Sequence, residues 1–284
     1  MRLIILTHGG AEPLIEKLMA LEGVTIAGVF VETEGLRRTS TRRERLERSI
    51  RYDGWLTTAA KAMRSVLHRN GAAASEQQTT QTRQRQLRDF SAARGVPFYL
   101  VKNYHEAAAI AAMRRVQPDL GIIWGTNILK EPVFSVPRLG SINLHQGLAP
   151  YYRGGPPVFW ELYNGESELG ITVHFVAPKV DTGDIIAQQR VPLIYDDAYG
   201  TDYERFIADF RRRITDRCAE VMTSAVRAIA GGTAQPMAQD ISLGQRYRLP
   251  VKREKDELRR RLRERQQRQT TVAQRPATEV SEAK

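Results

Sequence analysis

The amino-acid sequence predicts an α/β protein built on a mostly parallel sheet, and three observations carry that prediction. Continuous apolar runs at Leu3 to Leu6 and Val24 to Val31 bracket a helical pattern over Pro13 to Leu21, giving strand, helix, strand. The order returns downstream, with a strand pattern at Pro97 to Val101, an Ala-rich helix at His105 to Val116, and strands at Leu120 to Trp124 and Ser141 to His145. These runs lack the alternation of a half-exposed sheet, so they suit strands covered by helices on both faces.

The remaining elements follow in order. Gly170 to Val176 and Asp184 to Val191 read as two further strands, and a long helical pattern from about Thr201 to Ile229 is stopped by Gly231 and Gly232. Between Glu34 and Asp89 the pattern breaks into Arg-rich, Ala-rich and Gln/Thr-rich stretches, which marks an insertion over about residues 34–95. Its low-complexity part, Gly71 to Thr82, has little to bury and is expected to be mobile. Lys252 to Gln269 reads as a highly charged helix and Thr270 to Lys284 as a disordered tail. The expected organisation is a body of residues 1–240 carrying the insertion, followed by a charged extension over 241–284.

Composition excludes several classes of function. The opening run is cut by Thr7, His8, Gly9 and Gly10, too soon for a signal peptide, and no stretch approaches the roughly 20 apolar residues of a membrane span. The expectation is a cytoplasmic protein. Cys218 is the single cysteine, so neither an internal disulfide nor a cysteine metal cluster is available, and it reads as a small packed side chain. The net charge of +11 is unevenly spread: residues 35–95 hold an excess of nine positive charges and 251–284 an excess of five, leaving the rest at −3. Basicity therefore describes the periphery and not the body.

Two stretches carry chemistry. In Gly140 to Pro157 a buried strand runs into a Pro/Gly-rich loop, and Asn143 and His145, two apart, face the same side of the strand's carboxyl end. Open parallel sheets place their sites there. Taken singly, each reads equally as a buried polar residue satisfying the backbone; the pairing favours a site. In Gly170 to Gln188, His174 and Asp181 are separated by a strand end and a turn. No metal-spaced His/Cys cluster occurs, so no metal is expected.

An Asn-x-His strand end followed 36 residues later by Val-Asp-x-Gly is matched by Asn143, His145, Asp181 and Gly183, and so resembles the catalytic core of the folate-dependent formyltransferases. That group includes glycinamide ribonucleotide transformylase, methionyl-tRNA formyltransferase and the sugar N-formyltransferases. The resemblance is loose over residues 1–34 and close over about 96–240, and it implies a Rossmann-like formyltransferase fold and an enzyme using 10-formyltetrahydrofolate as co-substrate. Attack of an amine on the formyl carbon creates an oxyanion and releases a proton. Asn143 and His145 suit donation to the oxyanion, and Asp181 suits orienting His145 or relaying the proton through a water.

The resemblance also implies that Trp124, Gly125, Ile128, Leu129, Val180 and Gly183 line the folate pocket, with backbone groups dominating recognition. For Trp124, Ile128 and Leu129 an ordinary core role is the alternative. His174 matches a frequent family histidine and reads equally as a satisfied structural one; His8 stands within possible reach of an acceptor.

The chain departs from the family at Gln146, where many members carry Pro or Gly, and its Thr7-His-Gly-Gly-Ala-Glu12 loop lacks the Gly-x-Gly-Ser-Asn pattern of glycinamide ribonucleotide transformylases. Arg153-Gly-Gly-Pro-Pro157 resembles a segment shared by methionyl-tRNA and sugar formyltransferases. The expected acceptor is a small amine-bearing metabolite such as an amino sugar or sugar nucleotide. Aminoacyl-tRNA, met through the basic segment Gly35 to Arg51, is the alternative, and a non-catalytic nucleic-acid-binding relative a third reading. A nicotinamide-dependent dehydrogenase is disfavoured because no Gly-x-Gly-x-x-Gly loop is present.

Overall fold

The structure is a computed structural model that describes residues 1–34, 42–55, 57 and 72–273. Its centre is a seven-stranded sheet of order β3-β2-β1-β4-β5-β7-β8. The strands are β1 (Arg2–Thr7), β2 (Thr25–Glu32), β3 (Phe98–Val101), β4 (Leu120–Trp124), β5 (Ser141–His145), β7 (Glu168–Phe175) and β8 (Ile185–Pro192). From β3 to β5 all pairings are parallel, whereas β7 runs antiparallel to β5 and β8 antiparallel to β7. The expected mostly parallel, Rossmann-like sheet is thus observed. All five residues of β4 are buried, as the uninterrupted apolar run requires.

The helices are α1 (Glu12–Met19), α2 (Arg42–Asp53), α3 (Ala72–Ala93), α4 (Ala107–Arg115), α5 (Glu131–Phe134), α6 (Phe159–Asn164), α7 (Tyr203–Arg213), α8 (Thr215–Ala230) and α9 (Lys252–Ala273). One face of the sheet is covered by α1 and α8, whose Leu14, Leu18, Met222 and Val226 are fully buried. The long pattern expected over Thr201 to Ile229 is two helices, divided at Ile214. On the other face α4 and α5 close a second core around Ile4, Leu6, Tyr104 and Met113.

The periphery holds more secondary structure than its composition suggests. The low-complexity stretch from Ala72 onward is helical, and α3 anchors its far end through the fully buried Leu87. Within the insertion, residues 35–41, including Arg37 and Arg38, lie outside the described residues. The extension is also more than a charged helix beside the body. A short pair joins β9 (Gln245–Arg246) to β6 (Tyr152–Arg153), and Leu258 and Leu262 of α9, 1% and 7% exposed, belong to the main core. Those two leucines lie four apart and give an otherwise polar helix one apolar stripe. The expected tail from Thr270 is helical as far as Ala273; 274–284 lie outside the described residues.

Candidate active site

The chain order 3-2-1-4-5 reverses direction between β1 and β4, and a crevice opens at the carboxyl ends of the strands beside that switch point. A cleft of about 1000 Å³ is walled by His8 to Gly10 after β1, Trp124 to Leu129 after β4, Asn143 to Gln146 at the end of β5, and the turn holding Val180 and Asp181. The indole Nε1 of Trp124 donates to the Gly10 carbonyl at 3.0 Å, tying the β1 loop to β4.

Sheet register makes the first contact of the site. Asn143 stands opposite His174 across the β5–β7 ladder, so their side chains share a face. Asn143 Nδ2 lies 3.3 Å from His174 Nε2. The His174 Nδ1 donates to the Phe175 carbonyl at 2.7 Å; in the imidazolium Nε2 donates to Asp181 Oδ1, whereas in the neutral ring it accepts from Asn143 instead. One hydrogen of the amide is thereby used. The other remains for an oxygen in the cleft.

Asp181 joins the two histidines. It adopts φ 52°, a left-handed conformation that aspartate tolerates better than most residues. Its Oδ1 is 3.4 Å from His174 Nε2, its Oδ2 is 3.4 Å from His145 Nδ1, and Oδ2 also accepts the Gly154 N–H at 2.9 Å. Burial acts to raise the Asp181 carboxyl, but the His174 hydrogen bond, the charges of both histidines and the Gly154 amide outweigh it and bring it down to about 2.

His145 lies on the cleft wall between two protein oxygens. Its Nε2 faces the Tyr152 carbonyl at 2.8 Å, so both ring nitrogens point at protein oxygens and neither is offered to the cleft. Burial lowers the His145 pKa, against the opposing effects of Asp181 and the Tyr152 carbonyl. No neutral tautomer can donate to both Asp181 and Tyr152; the imidazolium can. Gly147 permits this packing, since a side chain there would collide with the His145 ring and the Tyr152 carbonyl.

The expected folate-pocket residues divide. Trp124, Gly125, Ile128, Leu129 and Val180 line the cleft; Ile128 is 63% exposed, while Trp124 and Leu129 are also core residues. Gly183 is not on the cleft wall. A side chain there would strike the Phe175 carbonyl, so this glycine serves close packing of the turn on β7. His8 lines the cleft with its Nε2 held 3.1 Å from Glu32 Oε2. Among the described residues no group of three or more His, Cys, Asp or Glu is placed to hold a metal, and no helix is long and apolar enough to cross a membrane.

Sequence reading did not single out the Gly154 amide or Arg211, which lines the cleft beside Gln146. Arg153 proves to be a fastener: 8% exposed, it donates to the carbonyls of Pro150, Ile241 and Gly244, binding the active-site loop to the extension.

Fold and site together define an α/β protein with Asn143, His145, His174 and Asp181 gathered at the carboxyl edge of a parallel sheet. The chain belongs to the formyl transferase family: the family model described as "Formyl transferase" matches residues 55–215, which include Asn143, His145, His174 and Asp181. It is similar to the methionyl-tRNA formyltransferase of Bacteroides thetaiotaomicron, 32% identical over 54% of this chain and 45% of that protein. The methionyl-tRNA formyltransferase of Chlorobium chlorochromatii is 36% identical over 51% of this chain and 43% of its own length. The match thus spans under half the length of these curated relatives. In fold it resembles glycinamide ribonucleotide transformylase 1 from Symbiobacterium toebii, with a TM-score of 0.51 and 20% identity, covering 84% of this chain and 94% of that one.

Proposed function

We propose that this protein transfers the formyl group of 10-formyltetrahydrofolate to the amine of a small metabolite such as an amino sugar or sugar nucleotide. One observation supports the formyl-transfer part of the reading: Asn143, His145, His174 and Asp181, drawn from two strands and a turn, converge on one cleft wall with a free amide hydrogen and a carboxylate set between two imidazoles. In this reading the donor lies along Gly125 to Leu129 and Val180, where exposed backbone and the Ile128 side chain suit a flat heterocycle.

The amine nitrogen attacks the formyl carbon, and the carbonyl oxygen becomes an oxyanion held by the remaining Nδ2 hydrogen of Asn143. One such donor is worth ~3 kcal/mol in the transition state. The proton released by the amine passes to Asp181, directly or through a water, and on to His145 Nδ1. The imidazolium so formed satisfies both Asp181 and the Tyr152 carbonyl, which neither neutral tautomer does. Collapse of the intermediate expels the folate nitrogen, which takes the proton back along the same path. No covalent enzyme intermediate is needed.

The test is tetrahydrofolate release by the full chain with 10-formyltetrahydrofolate and a panel of amino sugars, their nucleotides and aminoacyl-tRNA. Donor-dependent formylation of a small amine supports the proposal. The aminoacyl-tRNA reading is favoured by the curated relatives; it would be established by saturable tRNA binding whose log affinity falls with log salt by nearly one unit per phosphate contacted, together with formylation of the aminoacyl group.

A further inference from the structure

Gln146 follows His145 directly, and its side chain reaches α7 and α8. Its Oε1 accepts from Arg211 Nε at 2.8 Å, and its Nε2 donates towards the buried Cys218 Sγ at 3.5 Å. An amide held at both ends has one orientation, so Gln146 fixes where Arg211 stands. The neighbouring Arg212 is neutralised by Asp209 at 2.6 Å. Arg211 has no ion pair among the described residues, and its Nη hydrogens have no protein acceptor there. Desolvation lowers its pKa although the side chain stays open to solvent, and no carboxylate acts on it in the opposite sense.

Arg211 is therefore a solvent-accessible cation on the cleft wall, one hydrogen bond from the residue next to His145. Arg83, on α3 of the insertion, lines the same cleft, with its Cβ 3.3 Å from where a Gly9 side chain would begin. The carboxylates on the cleft wall are Glu12 and Asp181, and Asp181 is committed to the histidines. An uncompensated guanidinium beside the reacting groups is stabilised when a ligand brings the missing negative charge.

We propose that Arg211, oriented by Gln146, binds an anionic group of the acceptor, a carboxylate or a phosphate carried close to the amine that is formylated, with Arg83 as a second cation. The inference rests on the formyl-transfer reading for the word acceptor and on the cleft geometry for the anion site. It deepens that reading by restricting the acceptor to amines bearing a nearby negative charge. It also gives Gln146 a role, that of a positioning residue.

Two measurements test it separately. Thermal protection of the full chain by inorganic phosphate or acetate, at ionic strength matched with sodium chloride, is expected in the wild type, lost in Arg211→Gln, weakened in Gln146→Ala and kept in Arg217→Gln, whose side chain pairs with Glu220. Protection by phosphate alone identifies a phosphate site; protection by both anions identifies a site that also takes a carboxylate. No protection of the wild type, or equal protection of Arg211→Gln, overturns the proposal. In turnover, matched acceptors such as glucosamine and glucosamine 6-phosphate, or an amino acid and its methyl ester, should differ by ~10-fold or more in kcat/KM in favour of the charged member, since a charge-assisted contact is at stake. Arg211→Gln should raise the acceptor KM and leave the donor KM unchanged. Equal use of the neutral twin also overturns the proposal. Anion protection without formylation of any acceptor would count against the formyl-transfer reading while leaving the anion site in place.

Discussion

Asp181 Oδ2 faces His145 Nδ1 at 3.4 Å while the other nitrogen of that ring is taken by the Tyr152 carbonyl. The pair is consequently arranged around a proton that the resting, buried imidazole lacks. Asp181→Asn keeps the shape and removes the charge that receives this proton. Its kcat is expected to fall at least ~100-fold, the order found for displaced acid–base groups. Circular dichroism should show an intact fold, and a folded Asp181→Asn with near-normal turnover would remove the carboxylate from the mechanism.

Asn143 belongs to the same unit and acts through a different group. Asn143→Ala should lower kcat by ~100-fold with a small change in donor KM, because the lost hydrogen bond is made to the transition state. Combining it with His145→Ala should cost far less than the product of the single effects. Multiplicative losses in steady-state kinetics would show that the two act independently.

Stability at low pH should also report on this centre. The Asp181 carboxyl is depressed from 3.8 to about 2 in the folded protein, so its contribution is fully present above the unfolded value and is lost as pH falls through about 2. The magnitude is of order 2 kcal/mol. His145, lowered by burial, acts in the same direction: its contribution is present above its ordinary 6.5 and declines as pH drops below it. Urea midpoints between pH 7 and 3 should fall less steeply for Asp181→Asn than for the wild type. Parallel curves would mean that Asp181 titrates normally.

Glu161 sets the opposite slope. It is 3% exposed, its Oε2 has no hydrogen-bond partner, and burial pushes its carboxyl up to about 7. A raised carboxyl favours the folded state only while protonated, so this group costs stability as pH rises from 4.5 through about 7. Glu161→Gln removes the titration and is expected to raise stability at pH 8 by about 1 to 3 kcal/mol, with little change at pH 5. An equal effect of the substitution at both pH values, in chemical denaturation, would contradict this.

Much of the sheet and half of the site were legible because they rest on local pattern. The apolar runs named β1, β2, β4 and β5, and the Asn143-x-His145 spacing put two polar groups on one face. What was not legible depends on pairing between distant segments. His174 reads equally as a site histidine or a structural one until the antiparallel register sets it opposite Asn143, and the ring orientation of His145 depends on a carbonyl seven residues on. Gln146 announced itself only as a departure from the family, because Arg211 reaches it from 65 residues away. Gly183 belonged to a recognisable motif, yet its place is in the packing of the turn and not on the cleft.

The extension offers the clearest test of packing against composition. By charge density residues 252–269 read only as a highly charged helix, whereas Leu258 and Leu262 lie in the main core, Arg259 pairs with Glu204 at 2.6 Å, and Arg261 donates to the Tyr163 carbonyl at 2.6 Å while standing 4.5 Å over its ring. Exposed ion pairs of this kind add little, so the leucines should dominate. Leu258→Ala is expected to cost about 2 to 4 kcal/mol through lost burial and the cavity left behind. Truncation after Pro250 should lower the melting temperature by roughly 5 °C or more, because it removes both leucines. Turnover of whatever remains folded should persist, since β9 and the Trp160 bond to the Arg248 carbonyl, which hold the active-site loop, precede the cut. Arg260→Ala, on the solvent side of the same helix, is the control and should leave the melting temperature unchanged within about 1 °C. An unaltered melting temperature in the truncated protein would show that α9 is an accessory element whose contacts do not contribute to folding.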